Sequence, residues 1–249
     1  MFVHTVRSLF QAGETEIRVW LPERVAAAER LPVLYLLPVE KQGEHRFGDG
    51  MREAQRLNLA GKHRVICVAP TFSDLPWYAD HPTDPEIRQE SYLLKVVVPL
   101  VDRTYPTIAK AEGRLLVGFS KSGWGAFSLL LRHPDMFGKA AAWDAPLMMD
   151  GPGRFGTEPI FGTQENFEQY RIDALLRKRG KGLGSSGRLI LTSYDAFRED
   201  HAAAHQLMND LGVPHIHRDG PQRKHDWHSG WLAESVELLM ADESEPAQP

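Results

Sequence analysis

The sequence contains a single cysteine, Cys67, among 249 residues. One cysteine cannot form an internal disulfide, so the fold does not depend on an oxidising compartment. Cys67 lies in the apolar run Val65-Ile66-Cys67-Val68 and is predicted to be a small buried strand residue rather than a reactive thiol. Stability must come from the core, which a chain of this length is long enough to bury.

Long hydrophobic runs are also missing. No stretch reaches the roughly 18 consecutive apolar residues that a membrane-spanning helix needs. Residues 1–11 have neither a long apolar core nor a small-residue cleavage site, so they do not resemble a secretory signal. The net charge of −4 gives no general surface for polyanions. We therefore expect a cytoplasmic protein without a membrane or nucleic-acid partner; homo-oligomerisation stays open.

Short strand-like runs alternate with helical patterns along almost the whole chain. The predicted strands are Val3–Phe10, Glu16–Leu21, Leu31–Leu37, Arg64–Ala69, Arg114–Phe119, Lys139–Trp143, Arg188–Thr192 and His215–Arg218. The predicted helices are Met51–Leu59, Arg88–Tyr105 with a kink at Pro99, Gly123–Arg132, Tyr170–Arg179, Asp200–Leu211 and Ser229–Met240. This order predicts an α/β fold, with an N-terminal antiparallel hairpin and a mostly parallel sheet covered by helices on both faces. We expect one domain over residues 1–241 and a disordered tail at 242–249.

The most informative motif is Gly118-Phe119-Ser120-Lys121-Ser122, between a buried strand and a helix. A sharp strand-to-helix turn lifts a serine hydroxyl above the sheet and points the new helix at it. Small residues are needed two positions before and after the serine. Gly118 meets this need, whereas Ser122 departs from the usual glycine. We interpret Ser120 as a candidate nucleophile; a helix-capping serine is the alternative.

A serine nucleophile needs a base, and the base needs an orienting acid. In sheets of this kind the chain order is serine, acid, histidine. Asp195 follows the strand Arg188–Thr192, and His225 precedes the last helix, so we assign them as acid and base. Rival acids are Asp144, Glu199 and Asp200. His228 is the rival base, predicted instead to pack against the last helix.

Several ordered segments resemble one known family. These segments are Leu31-Pro32-Val33-Leu34-Tyr35-Leu36-Leu37, Trp77-Tyr78-Ala79-Asp80, Val98-Pro99-Leu100-Val101-Asp102, Gly118-Phe119-Ser120, Leu131-Arg132-His133-Pro134-Asp135-Met136-Phe137 and His225-Asp226-Trp227. Over roughly residues 15–239 the chain is similar to the esterase family that includes esterase D (S-formylglutathione hydrolase), feruloyl and acetylxylan esterase domains and the mycolyltransferases. The resemblance implies an α/β-hydrolase fold, no cofactor, and the same roles for Ser120, Asp195 and His225.

The resemblance also implies an oxyanion hole and a pocket. One donor would be the backbone N–H of Lys121. The second comes from the loop after the strand Leu31–Leu37, where the family has a His-Gly or Asp-Gly pair and this chain has Pro38-Val39. Glu40 N–H is then the best positioned donor. Trp77, Tyr78 and Trp143 are predicted to line the substrate pocket.

These residues predict a serine esterase that acts on a small-molecule ester, of acyl, acetyl or feruloyl type, on a small alcohol or sugar. An acyltransferase with the same triad is a variant of that chemistry. The rival hypothesis is a catalytically silent hydrolase-fold protein that binds a ligand, favoured by Pro38-Val39 and Ser122. His215 and His217 could face the same way on a strand, but no cysteine or carboxylate at a suitable spacing supports a metal site.

Overall fold

A computed structural model describes residues 1–241, apart from the side chain of Ser193. Its centre is an eight-stranded sheet with the order β1-β2-β4-β3-β5-β6-β7-β8. The strands are β1 (Phe2–Arg7), β2 (Glu14–Trp20), β3 (Val33–Leu36), β4 (Ile66–Pro70), β5 (Arg114–Phe119), β6 (Lys139–Trp143), β7 (Leu189–Tyr194) and β8 (His215–Gln222). β1 and β2 pair antiparallel, as do β2 and β4, and the other neighbours are parallel. The predicted α/β fold and its opening hairpin are confirmed.

Helices cover both faces of the sheet. They are α1 (Gly50–Arg56), α2 (Leu59–His63), α3 (Gln89–Tyr92), α4 (Val98–Thr104), α5 (Ser120–Arg132), α6 (Glu158–Phe161), α7 (Gln164–Glu168), α8 (Ile172–Arg179), α9 (Arg198–Leu211) and α10 (Trp231–Met240). One apolar cluster packs the sheet against α3, α4, α5, α8 and α9, and a second packs it against α1, α2 and α10.

The central strands are buried on both sides, which explains their uninterrupted apolar sequences. In β3, Val33 and Tyr35 enter one cluster while Leu34 and Leu36 enter the other. Such alternation follows from the two-residue period of a strand. Cys67 lies in β4 with no exposed surface, as predicted, and burial raises the pKa of its thiol to about 12.

The helical segment after Arg88 contains a π-helical turn over Leu93–Val97, between α3 and α4. There the N–H of Val98 bonds the carbonyl of Leu93, five residues back. Pro99 begins the next turn and has no N–H to donate. The irregularity predicted at this proline therefore appears as a widened turn just before it.

The boundaries near the carboxyl ends of the strands differ most from the predicted ones. α5 begins at Ser120, three residues before the predicted start, and β8 runs on to Gln222. The predicted tail at 242–249 lies outside the described residues. Over residues 1–241, no helix combines the length and apolar character needed to cross a bilayer.

Candidate active site

Ser120 occupies a strained strand-to-helix turn. β5 ends at Phe119, and Ser120 opens α5 with a φ of +53°. A non-glycine residue in this left-handed region carries a cost, and such outliers cluster at functional sites. The Ser120 N–H donates to the carbonyl of Asp144 at 3.1 Å, which ties the turn to the end of β6.

The departure from glycine at Ser122 is accommodated inside this turn. The buried Ser122 hydroxyl accepts the N–H of Phe119 at 3.0 Å and donates to the Phe119 carbonyl at 2.9 Å. Gly118 lies close to Ser122 in the same turn, and an added Cβ at Gly118 would lie 2.6 Å from the Ser122 backbone. Glycine is therefore required at 118, whereas serine at 122 bonds the turn itself.

The carboxylate beside the candidate base belongs to Asp144. His225 Nδ1 lies 2.6 Å from Asp144 Oδ2, and the Asp144 side chain is fully buried. Asp144 has a φ of +40°, so its backbone also turns sharply where β6 ends. Through Asp144, the structure joins the Ser120 backbone to the His225 ring.

Asp144 is held as an anion by the loop after β7. The N–H groups of Asp195, Ala196 and Phe197 donate to its carboxylate at 2.7, 3.2 and 2.7 Å. Burial alone would raise its pKa, but hydrogen bonds from the His225 ring and these N–H groups hold the pKa below its usual value. The carboxylate beside the His225 ring is therefore favoured in its ionised form.

The predicted pairing of Asp195 with the imidazole is wrong. Its carboxylate instead accepts the backbone N–H of His225 at 3.1 Å and the side chain of Gln222 at 3.2 Å. The physical reason is the strand order: β6 lies directly beside β5, whereas β7 lies one strand further away. Asp195 supports the loop that carries His225 and, through its N–H, the carboxylate of Asp144.

The rival residues have structural contacts elsewhere. Asp200 accepts the N–H of Met148 at 2.9 Å, and Glu199 is exposed. His228 Nδ1 lies 3.0 Å from the buried carboxylate of Glu53 in α1, so it packs against α1 rather than against the last helix. His225 is therefore the imidazole at the elbow.

His201 is a supporting residue that sequence reasoning missed. Its Nε2 accepts the N–H of Ala145, the residue after Asp144, at 2.9 Å. The side chain is buried in α9, and this burial lowers its pKa from 6.5 to about 4. A histidine within a polar helix gives no sequence signal for such a contact.

His201 predicts a loss of stability in mild acid. Because its pKa is lower in the folded chain, the unfolded chain takes up the extra proton as the pH falls below 6.5, and the loss is complete near pH 4. The expected loss is about 2 kcal/mol between about pH 7.5 and about pH 5, measured by urea unfolding. His201→Gln keeps an acceptor but cannot titrate, so its loss over this range should be smaller by that amount. Equal losses in both proteins would contradict the prediction.

The candidate oxyanion donors lie on the two segments expected. Lys121 is in the first turn of α5, where a backbone N–H has no helical acceptor. Glu40 lies on the loop after β3, and its carboxylate accepts the N–H of Phe47 at 3.1 Å. Burial lowers the pKa of the half-buried Lys121 ammonium, with nearby Glu40 opposing that effect.

The comparison with known proteins gives the family. The family described as "Putative esterase" matches residues 11–171, more than half of the chain. The chain belongs to this esterase family. The matched segment contains Ser120 and Asp144, whereas His225 lies beyond it. Membership supports a hydrolase or esterase role.

Solved structures with the same fold are similar over nearly the whole length of this esterase. The fluorophosphonate-binding serine hydrolase F of Staphylococcus aureus is 19% identical, with a TM-score of 0.77 over 97% of this chain and 98% of that one. An S-formylglutathione hydrolase from Agrobacterium tumefaciens is 15% identical, with a TM-score of 0.77 over 96% and 93%. A ferulic acid esterase from Anaeromyces mucronatus is 19% identical, with a TM-score of 0.66 over 96% and 88%. At these identities the likeness shows the fold alone.

The predicted pocket residues of the esterase need a correction. Trp77, Tyr78 and Trp143 have no exposed surface, so they do not line an open pocket. Trp143 stacks on Trp231 with ring centroids 5.3 Å apart, and its ring centroid lies 6.0 Å from that of His225. Aromatic side chains bury large apolar areas, and these three serve as core beneath the site.

Other aromatic rings near the candidate base are partly exposed to solvent. Phe47 and Phe197 lie with their ring centroids 5.5 and 6.0 Å from that of His225. Phe155 is 44% exposed and meets Phe197 edge-on at 5.6 Å. Phe155 belongs to the long segment between β6 and α6. Phe155 thus places an exposed apolar ring against Phe197, one of the rings that flank His225.

Two other features lie away from this centre. A cleft behind the loop after β3 is bounded by Glu40, Asp49 and Trp227, but neither Ser120 nor His225 lines it. The histidines of β8 meet α9: His215 hydrogen-bonds His205 at 2.7 Å, and His217 stacks on the same ring. Within residues 1–241, no group of three or more His, Cys, Asp or Glu side chains is arranged to hold a metal ion.

Proposed function

We propose that this chain is a serine hydrolase that cleaves carboxylic esters through an acyl intermediate on Ser120. The observation that carries the proposal is the strained φ of Ser120 at a strand-to-helix turn joined to the Asp144–His225 pair. A strained turn is retained at a functional site when the geometry is needed there.

The proposed steps follow from the different roles of the two imidazole nitrogens of His225. Asp144 bonds Nδ1 and fixes the proton on that nitrogen, so Nε2 is free to act as base. Ser120 Oγ attacks the ester carbonyl carbon while its proton passes to Nε2. The tetrahedral intermediate then expels the alcohol, which takes that proton. Water repeats the sequence on the acyl-serine and releases the acid.

Backbone donors would stabilise the negative oxygen that forms at each addition step. Lys121 N–H and Glu40 N–H are proposed for this role, and one such donor contributes roughly 3 kcal/mol of transition-state stabilisation. The carboxylate of Glu40 is occupied by Phe47 N–H. The nearby Lys121 ammonium partly offsets the negative charge of the Glu40 carboxylate.

One contact must tighten during the reaction. Within the described residues, the Ser120 hydroxyl makes no hydrogen bond to His225, although Phe119, directly before Ser120, has its ring centroid 4.9 Å from that of His225. Catalytic hydrogen bonds are often long without substrate and shorten when it is bound. Formation of the hydrogen bond between the Ser120 hydroxyl and the His225 ring on substrate binding is therefore part of the proposed mechanism.

The proposed substrate is an acyl, acetyl or feruloyl-type ester of a small alcohol or sugar. Family membership supports an ester as substrate, and the feruloyl type is suggested by the name of one structural neighbour, a ferulic acid esterase. The exposed Phe155 beside Phe197 would suit an apolar or aromatic group at the entrance. An alcohol that replaces water in the second step would make the same site an acyltransferase.

Labelling with a fluorophosphonate tests the proposal. Such probes form a covalent bond only with an activated serine, and trypsin would place Ser120 in the peptide Leu115–Lys121, where it is the only serine. We expect one label per chain on that peptide, lost after heat denaturation, with parallel loss of p-nitrophenyl acetate hydrolysis. A native protein that neither reacts nor hydrolyses the ester would be the silent binding protein instead.

A further inference from the structure

The loop that must supply the second oxyanion donor lacks the glycine that usually shapes it. Its sequence is Leu37-Pro38-Val39-Glu40, and the ring of Pro38 fixes only its own φ. A neighbouring side chain controls the next peptide unit, because the hydroxyl of Tyr78 donates to the Pro38 carbonyl at 2.7 Å. That carbonyl and the Val39 N–H share one planar peptide. One hydrogen bond to the oxygen therefore orients the Pro38–Val39 peptide, one peptide unit before the one that carries the Glu40 N–H.

Tyr78 is itself held in an uncommon conformation. Its φ is +58°, in the left-handed region that a tyrosine seldom adopts. The side-chain oxygen of Gln89 accepts the N–H groups of both Trp77 and Tyr78, at 2.8 and 2.9 Å. Gln89 has no exposed surface, and its amide nitrogen donates to the Leu75 carbonyl at 2.8 Å. The hydrogen bonds of the buried Gln89 side chain thus hold the turn that orients the Tyr78 side chain.

The ring of Tyr78 also touches the helix that carries the nucleophile. An added Cβ at Gly125, five residues after Ser120, would lie 2.1 Å from Tyr78 Cδ2. Only glycine allows this approach. The ring therefore packs on α5 while its hydroxyl reaches the loop after β3, so Tyr78 connects the two segments that carry the proposed donors Lys121 and Glu40.

We propose that Tyr78 is a positioning residue that sets the oxyanion loop relative to the nucleophile elbow, in place of the missing glycine. The inference rests on the proposed esterase function. Tyr78 is fully buried and acts through Pro38, without contact to the substrate. Burial keeps the pKa of its hydroxyl well above the usual value, so it remains a hydrogen-bond donor throughout the working range of the enzyme.

Tyr78→Phe removes the hydroxyl alone, and Tyr92→Phe is its matched control. The Tyr92 hydroxyl is paired with Thr15 Oγ1 at 2.7 Å, on β2 and away from the elbow. We expect Tyr78→Phe to lower kcat for p-nitrophenyl acetate by about 10- to 100-fold with KM changed less than about twofold, since a displaced loop donor weakens an oxyanion contact that forms only in the transition state. Tyr92→Phe should leave both constants within about twofold of the parent protein. The rate of fluorophosphonate labelling should fall with kcat only for Tyr78→Phe.

Melting temperatures separate positioning from general loosening of the fold. Both variants lose one buried hydrogen bond, so similar decreases in Tm are expected, and kcat is measured well below both transitions. Equal kcat for the two variants, or a rise in KM at unchanged kcat in Tyr78→Phe, would overturn the proposal. Full activity of a Ser120→Ala variant would instead remove the esterase function itself. Loss of activity in that variant beside a fully active Tyr78→Phe would reject only the role of Tyr78.

Discussion

Asp144→Asn is expected to lower kcat for ester hydrolysis by about 10⁴-fold, the effect seen when a triad acid becomes an amide. The amide can donate to Nδ1 of His225, which moves the ring proton to Nε2, and a protonated Nε2 cannot take the Ser120 proton. Shape and packing change little, because asparagine and aspartate have the same size. The measurement is kcat on p-nitrophenyl acetate above neutral pH.

Asp195→Asn is the matched control for this substitution. Its side chain touches the His225 backbone rather than the ring, and asparagine retains an oxygen to accept that N–H. We expect a decrease in kcat of less than about 10-fold, in line with the loss of part of one hydrogen bond. A greater loss in Asp195→Asn than in Asp144→Asn would contradict the geometry and restore Asp195 as the acid.

The fold could be predicted from the sequence because its signals are local. Uninterrupted apolar runs such as the one at Cys67 mark buried parallel strands, and the strand–serine–helix pattern at Ser120 needs only a few neighbouring residues. His225 was found because it lies before the last helix, at the carboxyl edge of the sheet. Ser120 and His225 therefore came from periodicity and position, without knowledge of long-range contacts.

The carboxylate that bonds the His225 ring could not be predicted in the same way. Asp144 and Asp195 both follow a strand, and the sequence alone does not say which backbone turns back toward the elbow. The decisive feature is the φ of +40° at Asp144 together with three N–H donors from a loop about fifty residues later. Such a cradle forms only after β6 and β7 pair.

The prediction that three aromatic residues line the pocket failed for a different reason. Tryptophan and tyrosine are common both in pockets and in cores, so residue type did not separate the two at Trp77, Tyr78 and Trp143. Their burial depends on packing against α5 and α10, which position in the chain does not reveal. The Tyr78 hydroxyl nevertheless reaches the loop after β3, where it donates to the Pro38 carbonyl.

Ser120→Ala should have the largest effect of all, a fall in kcat of about 10⁶-fold, as found for loss of the nucleophile in a serine protease. The residual rate would come from the oxyanion donors and from substrate binding alone. Fluorophosphonate labelling of the peptide Leu115–Lys121 should disappear with it. Retention of activity or of the label would mean that another residue is the nucleophile.

Ser122→Ala shows whether such a loss comes from chemistry or from damage to the turn. Ser122 lies two residues further on, and its hydroxyl bonds the backbone of Phe119 in the same elbow. Its removal leaves a buried N–H unpaired, which costs about 1–3 kcal/mol of folding free energy, or a few degrees in Tm. Because its hydroxyl bonds the turn and not His225, kcat should fall less than about 10-fold in molecules that remain folded. A loss of activity in Ser122→Ala as large as that in Ser120→Ala would show that the shape of the elbow, rather than the Ser120 hydroxyl, accounts for both.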